Sequence, residues 1–187
     1  MQKKSTQKER RIIAKINGVE IKNLKSFVGH EGTCYQGDVW LNGKKLGFWS
    51  QDSWGAICDD FSFDESVLDT ACKNFQEGFP DSYEYKEFCS SKETFLHDLV
   101  SLKEIEKDCK KDFKKGYKSV IYMTDGFHYS WVSLPEDGKD EDLLKKYSSH
   151  VKDMEKAMFK GAKPIIFRPD GFNIIVDKNH PAPHIFM

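Results

Sequence analysis

Residues 108–127 read DCKKDFKKGYKSVIYMTDGF, and residues 153–172 read DMEKAMFKGAKPIIFRPDGF. The two stretches match at a constant offset of 45 residues without a gap, and the shared positions include Gly116 and Gly161 and the final Asp-Gly-Phe triplet. Glycine ends a helix at low steric cost because it readily adopts a left-handed conformation, and Asp-Gly between two apolar runs favours a β-hairpin. Each copy therefore predicts the end of a helix, a strand, a turn and a second strand.

This repeat predicts how the second half of the chain folds. The helices ahead of the two copies carry apolar stripes at helical spacing, one over residues 95–113 and one within residues 140–160. Two helix–hairpin units that pair their hairpins into one sheet, with both helices on one face, would bury a core that neither unit buries alone. A duplication that serves stability is the simplest interpretation. Two equivalent binding surfaces, or a chance match of two common segments, are the alternatives.

The first part of the chain has the pattern of antiparallel strands. Asn-Gly pairs at residues 17–18 and 42–43 each separate two runs with β-strand character, and Asn-Gly tolerates the positive φ angles of a tight hairpin turn. The pattern predicts a meander of four or five strands, followed by a helix over residues 64–76. The predicted fold class is α+β, with an N-terminal antiparallel β-meander plus helix and then a duplicated helix–β-hairpin unit.

Composition and patterning divide the chain into five segments. These are a flexible basic arm at 1–10, the meander with its helix at 11–78, a linker at 79–90, the duplicated region at 91–178 and a tail at 179–187. Prolines in the tail argue against regular structure there. The sequence leaves open whether the two larger segments fold independently or as one body.

The composition is that of a soluble globular protein. Charged residues make up 32% of the 187 residues and hydrophobic residues 39%, and the net charge is −1, so no overall field favours nucleic acid or membrane. No apolar run approaches the roughly 18 residues of a membrane span, and the N-terminus has no apolar signal core. The five cysteines have no Cys-x-x-Cys spacing, which indicates reduced thiols. We expect a cytoplasmic protein that does not bind membranes.

The sequence predicts no catalytic, cofactor or metal site. His180 and His184 have the i, i+4 spacing of a helical metal site, but the prolines around them disallow that helix. One weaker signal is the set Asp81, Glu84 and Lys86, which resembles the acidic-x-lysine element of metal-dependent nucleases, where carboxylates hold Mg²⁺ and the lysine polarises water. That chemistry needs a core strand, whereas these residues lie in the predicted linker.

Lysines cluster at the end of the first repeat helix. This basic segment consists of Lys110, Lys111, Lys114, Lys115, Tyr117 and Lys118. Its lysines would meet phosphates and its tyrosine would stack on a base if the segment bound nucleic acid. The alternative is a helix end whose lysines are merely solvated.

Tryptophans are the other candidate interaction residues. Trp49, Trp54 and Trp131 would anchor a protein interface, because tryptophan is enriched at binding hot spots. Packing in the core is the alternative for each of them. Alternation along a strand places Phe48 and Trp49 on opposite faces, so we expect one of the two to be exposed.

Residues 22–55, KNLKSFVGHEGTCYQGDVWLNGKKLGFWSQDSWG, resemble small proteins carried by bacterial phages, prophages and integrating elements. The matching features are a K-x-F-x-G-x-E-G start, an L-x-G-K-K-x-G strand end and a D-x-W-G turn. No established activity accompanies the resemblance, so it transfers no functional residues. It implies a bacterial host cell and, by association, an inhibitor of host defence, a class that includes anti-CRISPR proteins.

The leading hypothesis is a non-enzymatic protein that binds and inhibits a bacterial defence effector, such as an RNA-guided nuclease or its guide-RNA complex. The first alternative is a direct nucleic-acid-binding accessory protein that uses the N-terminal arm and the basic segment, with an affinity that falls steeply with salt. The second alternative is a metal-dependent nuclease centred on Asp81, Glu84 and Lys86.

Overall fold

The computed structural model describes residues 14–30, 32–51, 59–79, 81–83, 86–124, 128–158 and 163–176. Their strands are β1 (Lys15–Ile16), β2 (Val19–Val28), β3 (Thr33–Leu41), β4 (Lys44–Gln51), β5 (Asp59–Phe61), β6 (Ser119–Thr124), β7 (Tyr129–Leu134), β8 (Ile165–Phe167) and β9 (Asn173–Ile174). Their α-helices are α1 (Asp69–Glu77), α2 (Lys92–Lys114), α3 (Asp140–Lys146) and α4 (Ser148–Lys156), and 3-10 turns lie at Glu65–Leu68 and Lys86–Ser90. The predicted α+β class is confirmed.

The first sheet is the predicted meander with one added strand. Its order is β5-β4-β3-β2-β1-β9, and the strands from β5 to β1 pair antiparallel. At the two Asn-Gly turns, Asn17 and Asn42 both have a φ of 50°, and Gly18 and Gly43 have φ of 79° and 82°. Two consecutive residues with positive φ are what a two-residue type I′ turn requires. The Asn-Gly pairs therefore predicted both hairpins correctly.

The second sheet contains the strands of the repeat. Its order is β7-β6-β8, and both pairs are antiparallel. Ile121 of β6 lies opposite Ile166 of β8, and these two residues occupy equivalent positions of the repeat. Their neighbours pair crosswise, Val120 with Phe167 and Tyr122 with Ile165. The two copies are thus related by a local two-fold axis that passes through the Ile121–Ile166 pair.

The symmetry ends with those strands, and this corrects the predicted arrangement. The second copy forms no hairpin, because β9 leaves β8 and pairs with β1 of the first sheet in parallel. The helices also pack on opposite faces of the second sheet. Residues of α2 share a hydrophobic cluster with Val120 and Tyr122, whereas Met154 of α4 belongs to the cluster around Ile121. Successive residues of a strand point to opposite faces, so the two clusters lie on different sides.

The helix α2 is a major contributor to the main core. The predicted stripe residues Phe95, Leu99, Leu102, Ile105 and Cys109 are all buried, and so are Leu96 and Val100 outside the stripe. One continuous cluster joins α2 to Ile21 and Val39 of the first sheet and to Phe167 of the second. Since a single core contains residues from both halves of the chain, the two halves form one body.

The segment predicted as a linker also contributes to this core. Phe79 and Cys89 are buried, and Phe79 stacks on Tyr83 with ring centroids 5.0 Å apart. Described residues of this segment are therefore part of the packed core.

The helix boundaries agree with the sequence at their starts. Asp64 accepts a hydrogen bond from the Ser66 N–H at the start of the 3-10 turn that leads into α1, and Ser91 accepts one from the Thr94 N–H at the start of α2. The helix predicted over residues 140–160 is instead divided at Tyr147, whose φ of −99° and ψ of 25° are not helical. The predicted arm at 1–10 and tail at 179–187 lie outside the described residues. None of the described helices is long and apolar enough to cross a membrane.

Candidate functional site

A groove of about 190 Å³ lies between α2 and the second sheet. Its helix side is lined by Ser101, Glu104, Ile105, Asp108 and Cys109. Its sheet side is lined by Tyr122, Tyr129 and Trp131. We call this feature the aromatic groove.

Two periodicities build the aromatic groove. Its helix-side residues follow the spacing i, i+3, i+4, i+7 and i+8, which places them on one face of α2. Tyr129 and Trp131 are alternate residues of β7 and share a face of the sheet, and Tyr122 of β6 lies directly opposite Trp131. Because β7 is an edge strand, its aromatic rings stand at the margin of the packed sheet.

Tyr129 and Trp131 form an exposed, ordered aromatic pair. Their rings stack with centroids 5.9 Å apart and planes 9° from parallel. Tyr129 is 58% exposed and Trp131 is 39% exposed. A ring held by its neighbour loses little further freedom when it binds a ligand, so such a pair is suited to recognition.

Asp112 fixes the aromatic strand to the helix. The Ser133 hydroxyl donates a hydrogen bond of 2.6 Å to Asp112 Oδ2, and Lys115 Nζ lies 2.9 Å from Oδ1. The hydrogen bond from Ser133, and then that from Lys115, lower the pKa of Asp112 below its ordinary value. An ionised Asp112 thus ties β7, through Ser133, to α2 beside the groove.

The charged residues of the described groove lining are both carboxylates. Glu104 Oε2 lies 3.4 Å from Lys107 Nζ, and Asp108 Oδ1 lies 3.6 Å from Lys111 Nζ. Both lysines belong to α2, and their side chains are 70% and 71% exposed. These are long, solvated ion pairs of a kind that contributes little stability.

Two further polar groups of the groove, the Cys109 thiol and the Tyr122 hydroxyl, stay protonated near neutral pH. Burial raises the pKa of the Cys109 thiol to about 12, and burial also raises the pKa of the Tyr122 hydroxyl. A thiol with that pKa does not supply a thiolate nucleophile near neutral pH. The groove therefore offers aromatic faces, carboxylates and neutral hydrogen-bond donors, and these groups are suited to binding a ligand.

The basic segment lies on the surface, as predicted, but carboxylates are interleaved with its lysines. Lys110 lies 2.6 Å from Glu106, and Lys111 and Lys115 pair with Asp108 and Asp112. Lys114 and Lys118 are exposed, and Tyr117 is half-buried. The positive field of the segment is therefore weaker than its lysine count suggests.

The structure separates the predicted tryptophans. Trp49 is completely buried, and its indole N–H donates a 2.6 Å hydrogen bond to Asp59 Oδ2, so Trp49 belongs to the core and offers no interaction surface. Its neighbour Phe48 is 42% exposed, in agreement with the expected alternation. Trp131, by contrast, is 39% exposed and reaches the surface. Trp54 lies outside the described residues.

The nuclease-like element lies on a surface turn. Lys86 Nζ forms an ion pair of 2.7 Å with Asp81, whose side chain is fully exposed, and Lys86 starts a 3-10 turn and not a core strand. Glu84, His180 and His184 lie outside the described residues. Across the part of the chain that the structure describes, no cluster of three or more His, Cys, Asp or Glu side chains could hold a metal ion.

Sequence reasoning identified Trp131 but missed Tyr129, Glu104 and Asp108. The alternation Tyr-Ser-Trp in residues 129–131 and the i, i+4 spacing of the two carboxylates were visible signals. What the sequence could not show is that this face of α2 meets this face of β7.

Comparison of the chain with protein-family models, with curated proteins and with solved structures finds no match.

Proposed function

We propose that the protein is a non-enzymatic binding protein whose aromatic groove holds a partner protein. The observation that supports this proposal most directly is the stacked, exposed pair Tyr129–Trp131 at the margin of a concave site. Tyrosine and tryptophan dominate the energetics of protein interfaces, because they supply a large rigid contact area at low entropic cost. The hydrogen bond from Ser133 to Asp112, which ties the strand of both rings to α2, adds to that rigidity.

The aromatic groove would be the centre of a larger interface. A stable protein complex buries about 1,200–2,000 Å² in total, which is much more than two rings provide. The rim of such an interface is polar and solvated, and the exposed charged side chains of α2 around the groove have that character. The groove then contributes most of the binding free energy, and the rim contributes shape and charge complementarity.

The target that we propose is a bacterial defence effector, either an RNA-guided nuclease or its guide-RNA complex. Support for this part comes from the resemblance of residues 22–55 to proteins of phages and other mobile elements, and it is independent of the groove. Inhibition would follow if the protein covered a surface that the effector needs for its own activity.

A pull-down with matched variants tests the proposal. Tagged full-length protein, the Tyr129→Ala/Trp131→Ala double variant and the control Phe88→Ala are incubated with lysate of the bacterial host, and bound proteins are identified by mass spectrometry. Phe88 is exposed and does not line the groove, so it controls for loss of an arbitrary surface ring. We expect wild type and Phe88→Ala to retain a defence effector and the double variant to lose it by tenfold or more, on the order expected for hot-spot residues.

A parallel arm with RNase separates this proposal from nucleic-acid binding. An effector that the double variant still retains at the wild-type level would show that the groove is not the binding site. If RNA is recovered without a dominant protein, and its amount falls steeply as the salt concentration rises, the result would instead support nucleic-acid binding by the basic segment. Lys114→Ala and Lys118→Ala would then reduce the recovered RNA.

A further inference from the structure

The aromatic groove brings π faces and carboxylates to one place. Glu104 and Asp108 occupy its helix side, and Trp131 and the two tyrosines occupy its sheet side. The face of an aromatic ring carries partial negative charge and attracts a cation, and tryptophan does so most strongly. Carboxylates attract the same charge. Both walls of the groove therefore favour a positively charged guest.

Glu104 and Asp108 are available to such a guest. Their present partners, Lys107 and Lys111, lie 3.4 Å and 3.6 Å away on flexible, largely exposed side chains. Solvent screens exposed ion pairs of this kind, and each pair restricts two flexible side chains. They therefore contribute little to the free energy of folding. Asp112 differs, because hydrogen bonds from Ser133 and Lys115 already occupy its oxygens. A guest that both stacks and pairs would displace the two lysines but not the contacts of Asp112.

The dimensions of the groove favour a single planar group. A volume of about 190 Å³ accepts the end of one side chain and not a folded segment. The Tyr129 and Trp131 rings are 5.9 Å apart, less than the roughly 7 Å that a group sandwiched between them would need at two contacts of about 3.5 Å. The guest therefore lies against the groove-facing side of the pair. A planar guanidinium can stack there while its N–H groups fork onto a carboxylate, which an ammonium cannot do.

We propose that the aromatic groove receives one arginine side chain of the partner protein, with its guanidinium stacked on the aromatic pair and bonded to Glu104 or Asp108. This assignment rests on the proposed function, because it names the chemistry that the partner presents to the groove.

Three short peptides test the assignment on the full-length protein. They are N-acetylated, amidated Gly-Ser-X-Ser-Gly sequences in which X is arginine, lysine or citrulline, and citrulline keeps the shape of arginine without its charge. The readout is the NMR signal of the Trp131 indole N–H, assigned by its loss in Trp131→Phe. We expect a saturable shift with the arginine peptide at a Kd on the order of 1 mM, severalfold weaker binding of the lysine peptide and no saturable shift with citrulline.

Matched charge variants identify the groove as the site. Glu104→Gln/Asp108→Asn should weaken binding of the arginine peptide about tenfold, since it removes the charges that the guanidinium meets. Glu141→Gln/Asp142→Asn makes the same change of charge on α3, outside the groove, and should leave the Kd unchanged. Equal binding of arginine and citrulline peptides, equal losses in both double variants, or no shift up to about 10 mM peptide would overturn the assignment.

The two proposals fail in different ways. If the pull-down depends on Tyr129 and Trp131 while the peptides show no preference for arginine, the groove binds a partner through other chemistry. If the arginine peptide binds as expected while the pull-down is indifferent to the groove variants, the arginine site stands and the proposed partner does not.

Discussion

Leu99→Ala in α2 tests whether one core supports both halves of the chain. Leu99 is completely buried, and its cluster contains residues of both sheets. Replacing a buried leucine by alanine removes transfer free energy and leaves a cavity, at a cost of about 2–5 kcal/mol. Taking about 3 kcal/mol and a shift of about 2–4 °C per kcal/mol for a chain of this size, Tm should fall by about 6–12 °C.

The assay uses one fluorescent reporter in each sheet. Trp49 in β4 reports on the first sheet and Trp131 in β7 reports on the second, each studied as the only tryptophan after the other three are replaced by phenylalanine. Each reporter protein has its own parent stability, because the two carry different Trp→Phe replacements. Leu99→Ala should lower the urea midpoint of each by the same amount relative to its own parent. Lys107→Ala, at an exposed position of the same helix, is the control and should stay within about 0.5 kcal/mol of the parent.

The result that would refute the reasoning is a split transition. If Leu99→Ala lowered the midpoint of one reporter protein and not that of the other, the sheets would not share one cooperative core. A loss as small as that of Lys107→Ala would show that the packing around Leu99 contributes far less than its burial indicates.

Three further predictions concern particular groups. Trp49→Phe should cost about 1.5–3 kcal/mol from the lost hydrogen bond to the Asp59 carboxylate, in addition to lost packing; Trp40→Phe should cost less in the same urea assay, because the buried Trp40 Nε1 has no hydrogen-bond partner among the described residues. Asp112 has a lowered pKa in the folded protein, so its stabilising contribution is present above its ordinary pKa near 4 and is lost as the pH falls through the folded value. Asp112→Asn should therefore lose less stability than wild type between about pH 5 and pH 3, and equal losses would contradict the assigned hydrogen bonds. Cys72, Cys89 and Cys109 are buried, with thiol pKa values raised by burial to about 12, 11 and 12, so peptide mapping after treatment with a thiol reagent at about pH 8 should find them modified only when urea is present.

Local signals predicted the parts of the fold that local chemistry determines. The two Asn-Gly turns fix their hairpins because few residues adopt consecutive positive φ angles, and β3 and β4 are long enough to hold their register. The stripe of α2 was visible because its period matches a helix that buries one face. These predictions needed no knowledge of the rest of the molecule.

Nonlocal pairing explains the main error in the fold. The second copy of the repeat does form its turn, in which the Gly171 N–H donates to the Arg168 carbonyl at 2.9 Å. The strands on either side contain three and two residues, and each pairs with a strand elsewhere instead of with the other, β8 with β6 and β9 with β1. A turn motif in the sequence cannot show which distant strand has an unpaired edge.

The candidate site was only partly predictable for a related reason. Alternation separated Phe48 from Trp49, but it could not tell which of the two faces meets the helices. The lysine run was visible, yet Asp108 and Asp112 stand at i, i+3 spacing before two of its members and pair with them. Recognition of the aromatic groove required the relative placement of α2 and β7, which depends on the whole core.

The parallel pair of β1 and β9 also has a consequence for synthesis of the chain. Lys15 lies opposite Asn173, so the edge of β1 that faces β9 cannot be paired until nearly the whole described chain has left the ribosome. An unpaired strand edge is a template for association with other chains, and contacts between distant residues form slowly. The nascent protein therefore depends on β9, the last of the described strands, to pair with this edge of β1, and products of premature termination would expose it.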